Sequence, residues 1–457
     1  MNDNPQPRTL AIILAAGEGT RMKSAKPKVL HEIAGLPMLG HALRATQAAG
    51  LASTVVVVGP NHEKVAGFAT KVAAGAIIHQ QLERRGTAHA ALQAADEIEK
   101  GFDSILVMFG DTPLIRPETI RRLTGAIAEG ASVVALGFEA RDPTGYGRLL
   151  MQGEELVAIR EHKDASEEER RIRLCNGGMM ALSGKQALAI LRQIGNDNAQ
   201  GEYYLPDAVE IARQMGLRTT AMLTDEEEIL GVNDRVQLAG AERVLQRRLR
   251  EQAMRAGVTM IDPETVFLAY DTAFGRDVVI EPNAFFGPGV SIGKGSHIKA
   301  FCHFEGATVG EDCALGPFLR LRPGARVADH AKIGNFVEIK NADIDEGAKI
   351  SHLSYIGDAH VGAGANIGAG VITCNYDGFN KHHTEIGANA FVGSNSALVA
   401  PVAIGEGAFV GSGSVVTDNV PADALALGRG RQVTKEGWAT EFRAQAEKLK
   451  AKRGKSG

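Results

Sequence analysis

The sequence predicts an α/β chain in two parts, a Rossmann-like domain followed by a parallel β-helix. Three observations support this: strand and helix patterns alternate up to about residue 225, a six-residue apolar period follows, and the chain has 54 glycines but only 5% aromatic residues. At 457 residues the chain is too long for one ordinary core and suits two domains. The formal net charge of −4 argues against a nucleic-acid-binding surface.

In the N-terminal half, short apolar runs alternate with amphipathic stretches. The predicted strands cover residues 10–14, 54–58, 76–78, 104–108 and 132–137, and the predicted helices cover residues 37–49, 61–72, 87–98 and 117–128. This order predicts a mostly parallel sheet with helices on both faces. Since ligands of such folds bind at the carboxyl ends of the strands, residues just after the strands are the first candidates for a site.

A charged helical stretch separates the two halves. Asp234 and Gly257 suit the caps at its two ends, and we predict a linker helix over residues 233–257, between domains at 1–232 and 258–457. A membrane-surface helix is the alternative, but the apolar face of this stretch is modest. The residues from Glu436 onward are charged and are expected to be disordered.

The sequence of the N-terminus and the spacing of the cysteines indicate the cellular compartment. The N-terminus lacks a signal-peptide pattern, and the apolar run at residues 10–16 is too short to cross a bilayer. Four scattered cysteines without a CxxC pair are expected to be free thiols, as in a reducing cytosol: Cys175, Cys302, Cys313 and Cys374. We therefore expect a cytoplasmic protein without a membrane partner.

A six-residue repeat of apolar residues runs through the C-terminal half. A period of six fits neither a helix nor a simple strand, but it fits one flat strand plus one turn, laid side after side around a triangular prism. The coils of such a prism stack as parallel strands about 4.8 Å apart. The predicted inward-pointing anchors, with two five-residue steps and one gap, are Ile280, Phe286, Ile292, Ile298, Phe304, Val309, Leu315, Leu321, Val327, Ile333, Ile339, Ile344, Ile350, Ile356, Val361, Ile367, Ile386, Val392, Leu398, Ile404, Val410 and Val416.

One stretch interrupts this repeat. Residues 368–385 (GAGVITCNYDGFNKHHTE) separate the anchors Ile367 and Ile386 by more than one hexad. We therefore expect these residues to form a loop ejected from the prism. Loops on rigid scaffolds commonly carry function, so this loop is a candidate part of a site.

The segment LAAGEGTRMKSAKPKVL (residues 14–30) follows the first strand and predicts a phosphate site. Gly17 and Gly19 let backbone N–H groups approach phosphates closely, while Arg21 and Lys28 supply positive charge. The segment matches neither the Walker A pattern GxxxxGK[ST] nor the Rossmann pattern GxGxxG. It resembles the signature of the sugar-phosphate nucleotidyltransferases. In FGDTPL, Asp111 directly follows a predicted strand and is similar to the Mg²⁺ ligand of that family.

Further motifs narrow the resemblance to the N-acetylglucosamine-1-phosphate uridylyltransferases: PTGYGR, IREHKDA, CNGG and GVND occur in order. The stretch HQQLERRGT at residues 79–87 departs from that family by being more basic. The resemblance implies attack of a sugar 1-phosphate on the α-phosphorus of UTP, with pyrophosphate leaving and no protein nucleophile. It assigns nucleotide contacts to Leu14, Ala15, Gly17, Arg21, Lys28, Gln81, Gly86 and Thr87, sugar contacts to Gly147, Glu161, Asn176 and Asn233, and Mg²⁺ coordination to Asp111 and Asn233.

The prism resembles the left-handed parallel β-helix of the hexapeptide acyltransferases. Acetyl transfer to an amine benefits from a base near neutral pH, and His352 in AKISHLSYIGD matches the general base of that family. The loop residues His382 and His383 are the alternatives. The resemblance assigns the sugar phosphate to Arg322, Lys340 and Lys381, the sugar to Tyr355 and Asn366, and acetyl-CoA to Asn375, Tyr376, Ser394, Ser412 and Arg429, with Ser412 standing where alanine is expected.

Residues 10–431 together resemble the family of bifunctional N-acetylglucosamine-1-phosphate uridylyltransferases and glucosamine-1-phosphate N-acetyltransferases. The resemblance implies that glucosamine 1-phosphate is acetylated from acetyl-CoA and then joined to UMP from UTP, with Mg²⁺ as cofactor. The product, UDP-N-acetylglucosamine, feeds peptidoglycan, lipopolysaccharide and cell-wall synthesis. A homotrimer with acyl-donor sites between neighbouring subunits is implied as well.

Two other classes of protein are the alternatives. One is a single-function nucleotidyltransferase for another sugar, such as an ADP-glucose or dTDP-glucose synthase. The other is a regulatory protein that keeps both folds without catalysis. The set of Lys340, Arg322 and His352 argues against an inert C-terminal half, and the presence of Lys28 and Asp111 argues against loss of catalysis.

Overall fold

The computed structural model describes residues 8–51, 53–60 and 62–453, and the chain forms two compact units. The first runs to Ala256 and also includes Phe267–Thr272, whereas the second comprises Gly257–Val266 and the chain from Ala273 onward. Each unit has its own set of buried apolar residues. No helix in the described ranges has both the length and the apolar character needed to cross a membrane.

The first unit is built on a nine-stranded sheet and a separate pair of strands. Its strands are β1 Thr9–Ala15, β2 Glu32–Ile33, β3 Leu36–Pro37, β4 Ser53–Val58, β5 Ile77–Gln80, β6 Ser104–Phe109, β7 Val133–Glu139, β8 Arg148–Gln152, β9 Glu155–Arg160, β10 Leu174–Ser183 and β11 Thr219–Leu223. The central path of the sheet has the order β11-β7-β10-β6-β1-β4-β5; β8 and β9 form an attached hairpin, while β2 and β3 pair separately. All pairs on the central path are parallel except those of β10, which runs antiparallel to β6 and β7.

Helices cover both faces of this sheet. Strand β1 is buried along its whole length, and its side chains alternate between the two apolar layers: Leu10 and Ile12 face one, and Ile13 and Ala15 face the other. Burial on both faces explains why β1 reads as an unbroken apolar run. The helices are α1 Met38–Ala48, α2 Glu63–Val72, α3 Thr87–Leu92, α4 Ala95–Ile98, α5 Pro117–Ala128, α6 Glu167–Arg170, α7 Ala187–Leu191, α8 Ala208–Gln214 and α9 Arg235–Arg255.

The predicted β-α-β order is confirmed, with one error in a helix. All five predicted strands are present as β1, β4, β5, β6 and β7, and the sheet is mostly parallel. The predicted start of the second helix, residue 61, lies outside the described residues. The single helix predicted over residues 87–98 is wrong, because the chain forms α3 and α4 instead. At the break, the N–H groups of Gln93 and Ala94 donate to carbonyls three residues back, Ala90 and Ala91, which tightens the helix into a turn.

The predicted helix between the halves forms as α9. The side chain of Asp234 accepts a hydrogen bond from the backbone N–H of Gln237 and caps its start. Its apolar residues Leu238, Val244 and Leu245 pack on a small buried cluster of the first unit. This packing argues against the alternative of a membrane-surface helix, although Val236 on the same helix is 82% exposed.

The second unit consists of three ladders of short parallel strands, and a chain that visits them in turn forms a prism. Ladder A contains Thr259–Met260, Val279–Ile280, His297–Ile298, Ala314–Leu315, Lys332–Ile333, Lys349–Ile350, Asn366–Ile367, Phe391–Val392, Phe409–Val410 and Leu425–Ala426. Ladder B contains Phe285–Phe286, His303–Phe304, Arg320–Leu321, the first parts of Glu338–Ile344 and Tyr355–Val361, Ile372–Cys374, Ala397–Val399 and Val415–Val416. Ladder C contains Ala273–Phe274, Ser291–Ile292, Thr308–Val309, Ala325–Val327, the last parts of the same two long strands, Thr384–Ile386 and Val402–Ile404.

The predicted anchors fill the interior of this prism. Every one is buried; the most exposed, Val416, has 5% of its surface accessible. The six-residue period is therefore confirmed as the inward face of the coils. A short strand at Phe267–Leu268 belongs to the first unit, where the side chain of Gln246 in α9 bonds both the N–H and the carbonyl of Leu268.

The prediction of a loop over residues 368–385 is wrong at its two ends, because the segment that leaves the prism is shorter. Strand Ile372–Cys374 continues ladder B, and the expected anchor position six residues after Ile367 is taken by Thr373, which is fully buried. Only residues 375–383 leave the prism, and they are closed by a bridge between Tyr376 and Lys381. The aliphatic pattern fails here because a hydroxyl side chain fills an inward position.

The expectation of a disordered tail is also wrong for its described part. Residues Trp438–Arg453 form a helix, in which Trp438 stacks on Phe442 with ring centroids 5.1 Å apart. The charged composition that suggested disorder also suits an exposed helix, because its alanines, lysines and glutamates have high helix propensity.

Candidate active sites

The loop after β1 begins the first candidate site. It leaves the sheet at Ala15 and makes a turn at Thr20–Met22 before a second turn at Lys28–Leu30. Gly19 has φ +66°, and a Cβ there would lie 2.5 Å from Cβ of Lys28. Glycine is therefore required for the loop to fold back on Lys28.

The ammonium group of Lys28 forms hydrogen bonds with both predicted metal ligands. Asp111 follows β6, the neighbour of β1, so both residues come from the same carboxyl edge of the sheet. Lys28 Nζ donates a short hydrogen bond to Asp111 Oδ2 and lies 3.1 Å from Asn233 Oδ1. Two oxygens from residues 122 apart in the sequence thus converge on one cation position.

Two adjoining cavities open around this point. The first, of about 280 Å³, is lined by seven of the eight predicted nucleotide-binding residues: Leu14, Ala15, Gly17, Lys28, Gln81, Gly86 and Thr87. The second, of about 590 Å³, is lined by the eighth, Arg21, and by all four predicted sugar-binding residues: Gly147, Glu161, Asn176 and Asn233. Asp111 lines both cavities. The structure thus brings together every residue predicted for the first reaction.

The second cavity is held by β10 and the hairpin of β8 and β9. The N–H of Asn176 donates to the carbonyl of Gly147 at 2.8 Å, while Asn176 Oδ1 accepts from the N–H of Gly178 at 3.0 Å. A Cβ at Gly147 would lie 3.0 Å from Glu161 Oε1, so the backbone of this glycine and the carboxyl group are neighbours. Burial, aided by the negative charge of Asp164, raises the pKa of Glu161.

A second acidic side chain near this cavity is also perturbed. Asp207 lies beside the lining residue Pro206, and burial raises its pKa to about 6, with the negative charge of Glu210 adding to the effect. Desolvation disfavours the ionised carboxylate, and the positive charge of Arg160 offsets only part of it.

Several lining residues were missed by the sequence analysis. Phe109 and Glu202 line both cavities, and Arg84 lines the first. Arg84 lies in the unusually basic stretch after β5, which was the available signal. Gln81, in the same stretch, is 3% exposed and donates to the carbonyl of Gly86.

The second candidate site lies on the prism, where three predicted cations come together. Arg322 and Lys340 occupy matching positions on successive coils of ladder B, because their neighbours Leu321 and Ile339 are paired. A contact with Lys381, and the positive charge of that residue, lower the pKa of Lys340. Lys381 thus reaches back from the ejected loop to the coil that carries Lys340. Such a cluster of like charges suits an anionic ligand.

Tyr355 stands beside these cations. A Cβ at Gly357, the residue paired with Lys340 one coil away, would clash with the Tyr355 hydroxyl, so this hydroxyl lies against the backbone of Gly357. Asn366 belongs to ladder A and pairs with Lys349, three residues before His352. The predicted phosphate-binding and sugar-binding residues therefore occupy adjacent faces of the same coils.

His352 lies at the corner between ladders A and B and is exposed. Within the described residues its imidazole has no hydrogen-bond partner, although its Nδ1 would lie 3.0 Å from a Cβ at Gly334. The alternatives are engaged: His382 Nε2 lies 2.7 Å from Asp377, and His383 Nε2 lies 3.2 Å from Glu385. A histidine with a free ring nitrogen is better placed to accept a proton.

The predicted acetyl-CoA residues continue this corner along the prism. The carbonyl of His352 accepts from Gly370, the carbonyl of Ser394 accepts from Gly413, and the carbonyl of Ser412 accepts from Arg429 Nη1 at 2.9 Å. A Cβ on Gly368 would lie 2.6 Å from the backbone nitrogen of Ser394, so the coils of His352 and Ser394 are close neighbours. Ser394, Ser412 and Arg429 therefore lie in one column.

The remaining two predicted acetyl-CoA residues begin the ejected loop. Tyr376 is 61% exposed and its hydroxyl donates to the carbonyl of Gly378. Asn375 is buried and donates from its amide to the carboxylate of Asp358. Asp358 also accepts from Asn341; it ends the segment AKISHLSYIGD, but the sequence assigned it no role.

The four cysteines form no disulfide. Each is free in the part of the chain that the structure describes, and burial raises the pKa of each thiol, that of Cys302 to about 11. The prediction of free thiols is confirmed. None of them lines the two cavities described above.

Comparison with known proteins agrees with the two-part architecture. A family model described as MobA-like NTP transferase domain matches residues 11–192, and one described as Bacterial transferase hexapeptide (six repeats) matches residues 383–418. These matches, with the observed sheets, confirm a Rossmann-like nucleotidyltransferase domain followed by a left-handed parallel β-helix. A solved structure of UDP-glucose pyrophosphorylase complexed with UDP-glucose covers 53% of this chain and 99% of its own, at 18% identity and a TM-score of 0.44.

Relatives match over nearly the whole chain. A "Bifunctional protein GlmU" of Xanthobacter autotrophicus is 60% identical over 441 residues, covering 96% of this chain and 98% of the relative. Proteins with the same description are 58% identical in Nitrobacter hamburgensis and 55% identical in Agrobacterium fabrum, each covering 98% of this chain and 99% of the relative. The chain therefore belongs to the family of bifunctional GlmU proteins, enzymes that make UDP-N-acetylglucosamine through a glucosamine-1-phosphate N-acetyltransferase and an N-acetylglucosamine-1-phosphate uridylyltransferase activity.

Proposed function

We propose that uridylylation takes place in the two cavities at the carboxyl edge of the sheet and acetylation at the corner of the prism. The strongest support for this proposal is that the side chains of Lys28, Asp111 and Asn233 meet at the junction of the two cavities. In this proposal, residues 1–232 form the uridylyltransferase domain and residues 258–457 the acetyltransferase domain. The helix over residues 233–257 is the linker.

In the first reaction, UTP occupies the first cavity and N-acetylglucosamine 1-phosphate the second. The N–H groups of the loop around Gly17 approach the phosphates, while Lys28 and Arg21 offset the negative charge that develops during transfer. Gln81, which is buried and lines the first cavity, contacts the uracil. The sugar phosphate is already an anion, so positioning and charge neutralisation suffice for its attack on the α-phosphorus.

The residues at the junction fit a magnesium ion. Asp111 Oδ2 and Asn233 Oδ1 both accept from Lys28 Nζ, so two oxygen donors already face one cation position. Hard Mg²⁺ takes few protein oxygens in phosphoryl-transfer sites and completes its shell with phosphates and water. Among the described residues no group of three or more His, Cys, Asp or Glu is arranged as a protein-only metal cage. When bound, Mg²⁺ would supply charge neutralisation between the two phosphate-bearing substrates.

In the second reaction, the phosphate of glucosamine 1-phosphate binds Arg322, Lys340 and Lys381. Tyr355 and Asn366 contact the sugar, and this places the amino group toward the corner of His352. The free imidazole accepts a proton from the amine as the amine attacks the thioester carbonyl. The tetrahedral adduct then collapses with cleavage of the C–S bond, and coenzyme A leaves as a thiolate that takes up the proton, which gives the N-acetyl sugar 1-phosphate and free thiol. Acetyl-CoA lies along the column that leads away from His352, in contact with Ser394, Ser412 and Arg429, and with Asn375 and Tyr376 of the loop.

A homotrimer completes this second site. Phe301, Phe318 and Phe336 are each about half exposed and stack along one edge of the prism, with centroids 4.8 and 4.9 Å apart. The next coil continues this edge with Leu353, 62% exposed and directly after His352. An apolar edge of this kind suits burial against another copy of the chain. The solution mass should then be about three times 48.4 kDa.

We place the enzyme in the cytoplasm, where UTP and acetyl-CoA are available and where free thiols persist. Its partners are its small-molecule substrates and its own copies, with neither nucleic acid nor membrane among them.

Asp111→Asn tests the assignment of the first site. The Mg²⁺ concentration needed for half-maximal uridylylation should rise at least 10-fold, while acetyl transfer should stay within 2-fold of wild type. Glu129→Gln, on an exposed residue at the end of α5, is the matched control and should change neither activity. An unchanged Mg²⁺ requirement in Asp111→Asn would remove this residue from the metal site.

A further inference from the structure

One cation beside the first cavity is not used by the mechanism above. Arg84 lies between β5 and α3, and it lines both the first cavity and a third one of about 300 Å³. This third cavity is formed along the loop after β1, and its walls are Glu18, Gly19, Thr20, Arg21, Lys28, Arg84 and Asn233. It therefore adjoins the first cavity on the side of the glycine-rich loop.

Specific contacts hold the guanidinium of Arg84 over that loop. Its Nε donates to the carbonyl of Ala16 at 2.8 Å, and its Nη1 forms an ion pair with Glu18. The side chain is 35% exposed, whereas the neighbouring Arg85 is 57% exposed and pairs with Glu83. Of these two adjacent arginines, only Arg84 lines a cavity described here.

The charge around the third cavity suits an anion. Among its walls, Arg21, Lys28 and Arg84 contribute three positive charges against the carboxylate of Glu18. The carboxylate of Asp111, which pairs with Lys28, still leaves a net positive charge. A planar guanidinium can bind two phosphate oxygens at once, which makes arginine well suited to a polyphosphate. The second cavity, which contains the predicted sugar-binding residues, is not lined by Arg84. Arg84 therefore lies at the phosphate loop but away from the sugar.

We infer that Arg84 binds the β- and γ-phosphates of UTP and, after transfer, the pyrophosphate that leaves. This inference rests on the proposed placement of UTP in the first cavity. Binding requires the guanidinium to exchange the carboxylate of Glu18 for phosphate oxygens, while its bond to Ala16 keeps it at the loop. Arg84 is thus a substrate-binding residue for the part of UTP that is lost in the reaction.

This role separates the four substrates of the reversible reaction into two pairs. UTP and pyrophosphate both contain the phosphates that Arg84 contacts, whereas N-acetylglucosamine 1-phosphate and UDP-N-acetylglucosamine lack them. Removing the guanidinium should therefore weaken only the first pair. Loss of a charged hydrogen bond of this type corresponds to a change of roughly 10- to 100-fold in apparent affinity.

The test compares Arg84→Gln with Arg85→Gln in the full-length enzyme, in both reaction directions with Mg²⁺ present. In Arg84→Gln, the KM values for UTP and for pyrophosphate should rise roughly 10- to 100-fold. The KM values for N-acetylglucosamine 1-phosphate and UDP-N-acetylglucosamine should stay within 2-fold. Arg85→Gln should leave all four unchanged. Arg84→Lys, which keeps a point charge but loses the planar fork, should lie between wild type and Arg84→Gln.

Two results would overturn the inference. One is a rise of all four KM values by similar factors, with Arg84→Lys as impaired as Arg84→Gln, because that pattern means that Arg84 only supports the loop. The other is no change in Arg84→Gln while wild type is active. An inactive wild type would instead contradict the proposed function itself, so the two failures are distinguishable.

Discussion

Replacing Thr373 by valine should destabilise the prism, although valine matches the apolar residues at the other inward positions. The hydroxyl of Thr373 accepts the N–H of Gly357 at 2.8 Å and donates to the carbonyl of Gly357 at 3.1 Å, and both residues are buried. Valine has nearly the same shape but can make neither bond. The N–H of Gly357 is then left buried without the partner it has in wild type.

The size of the effect follows from that unpaired donor. A buried donor that loses its partner costs about 1–3 kcal/mol. For a unit of about 200 residues, 1 kcal/mol lowers Tm by about 2–4 °C, so the expected fall is roughly 2–12 °C. Thr373→Ser keeps both hydrogen bonds and loses one methyl group, so its Tm should lie above that of Thr373→Val.

Calorimetric melting of the full-length chain, at one protein concentration, measures this difference. Thr308→Val, on an exposed residue of ladder C, is the matched control and should leave Tm within about 1 °C of wild type, because its side chain faces solvent. A Thr373→Val enzyme as stable as wild type would refute the view that the hydroxyl, rather than the shape of the side chain, holds this coil.

Three further predictions concern the sites. His352→Ala should lower kcat for acetyl transfer by roughly 100- to 10,000-fold and leave uridylylation unchanged, whereas His382→Ala should cost less than 10-fold; coupled assays of each half-reaction decide between the two histidines. Asp207 has a folded pKa raised to about 6 from 3.8, so its contribution to stability is full below about pH 3.8 and is lost as the pH rises through 6. Asp207→Asn should therefore gain stability relative to wild type between pH 4 and pH 7 in urea titrations, and parallel curves would contradict this. Gly86→Ala should impair uridylylation at least 10-fold and lower Tm, because φ is +113° and the new Cβ would meet the carbonyl oxygen of Tyr203 at 2.5 Å; unchanged kinetics would show that the backbone there yields easily.

The sequence predicted the fold well wherever apolar side chains recur at a regular spacing or in a continuous run. Period-six anchors such as Ile339 and Ile356 are buried because each coil offers the same inward position, and β1 is identifiable because a strand covered on both faces is apolar throughout. The failures occur where a single residue departs from that pattern. Thr373 is polar although it points inward, so its strand was not recognised and was included in the predicted loop.

Residues of the candidate sites were predictable to the extent that a motif carries them. Asp111 and Asn233 belong to short motifs, and the structure brings their side chains to one point. Arg84 and Asp358 act through contacts that depend on how distant segments meet: Arg84 with Ala16, and Asp358 with the amide of Asn375. Such contacts depend on tertiary packing, which no local pattern encodes.

Product analysis with the purified full-length enzyme tests the two proposed activities most directly. Glucosamine 1-phosphate, acetyl-CoA, UTP and Mg²⁺ are supplied together and with each omitted in turn. We expect UDP-N-acetylglucosamine only in the complete mixture, and N-acetylglucosamine 1-phosphate without further product when UTP alone is omitted. Uridylylation of supplied N-acetylglucosamine 1-phosphate without any release of thiol from acetyl-CoA would contradict the proposed second activity, because no acetyl transfer would then take place at the corner of His352.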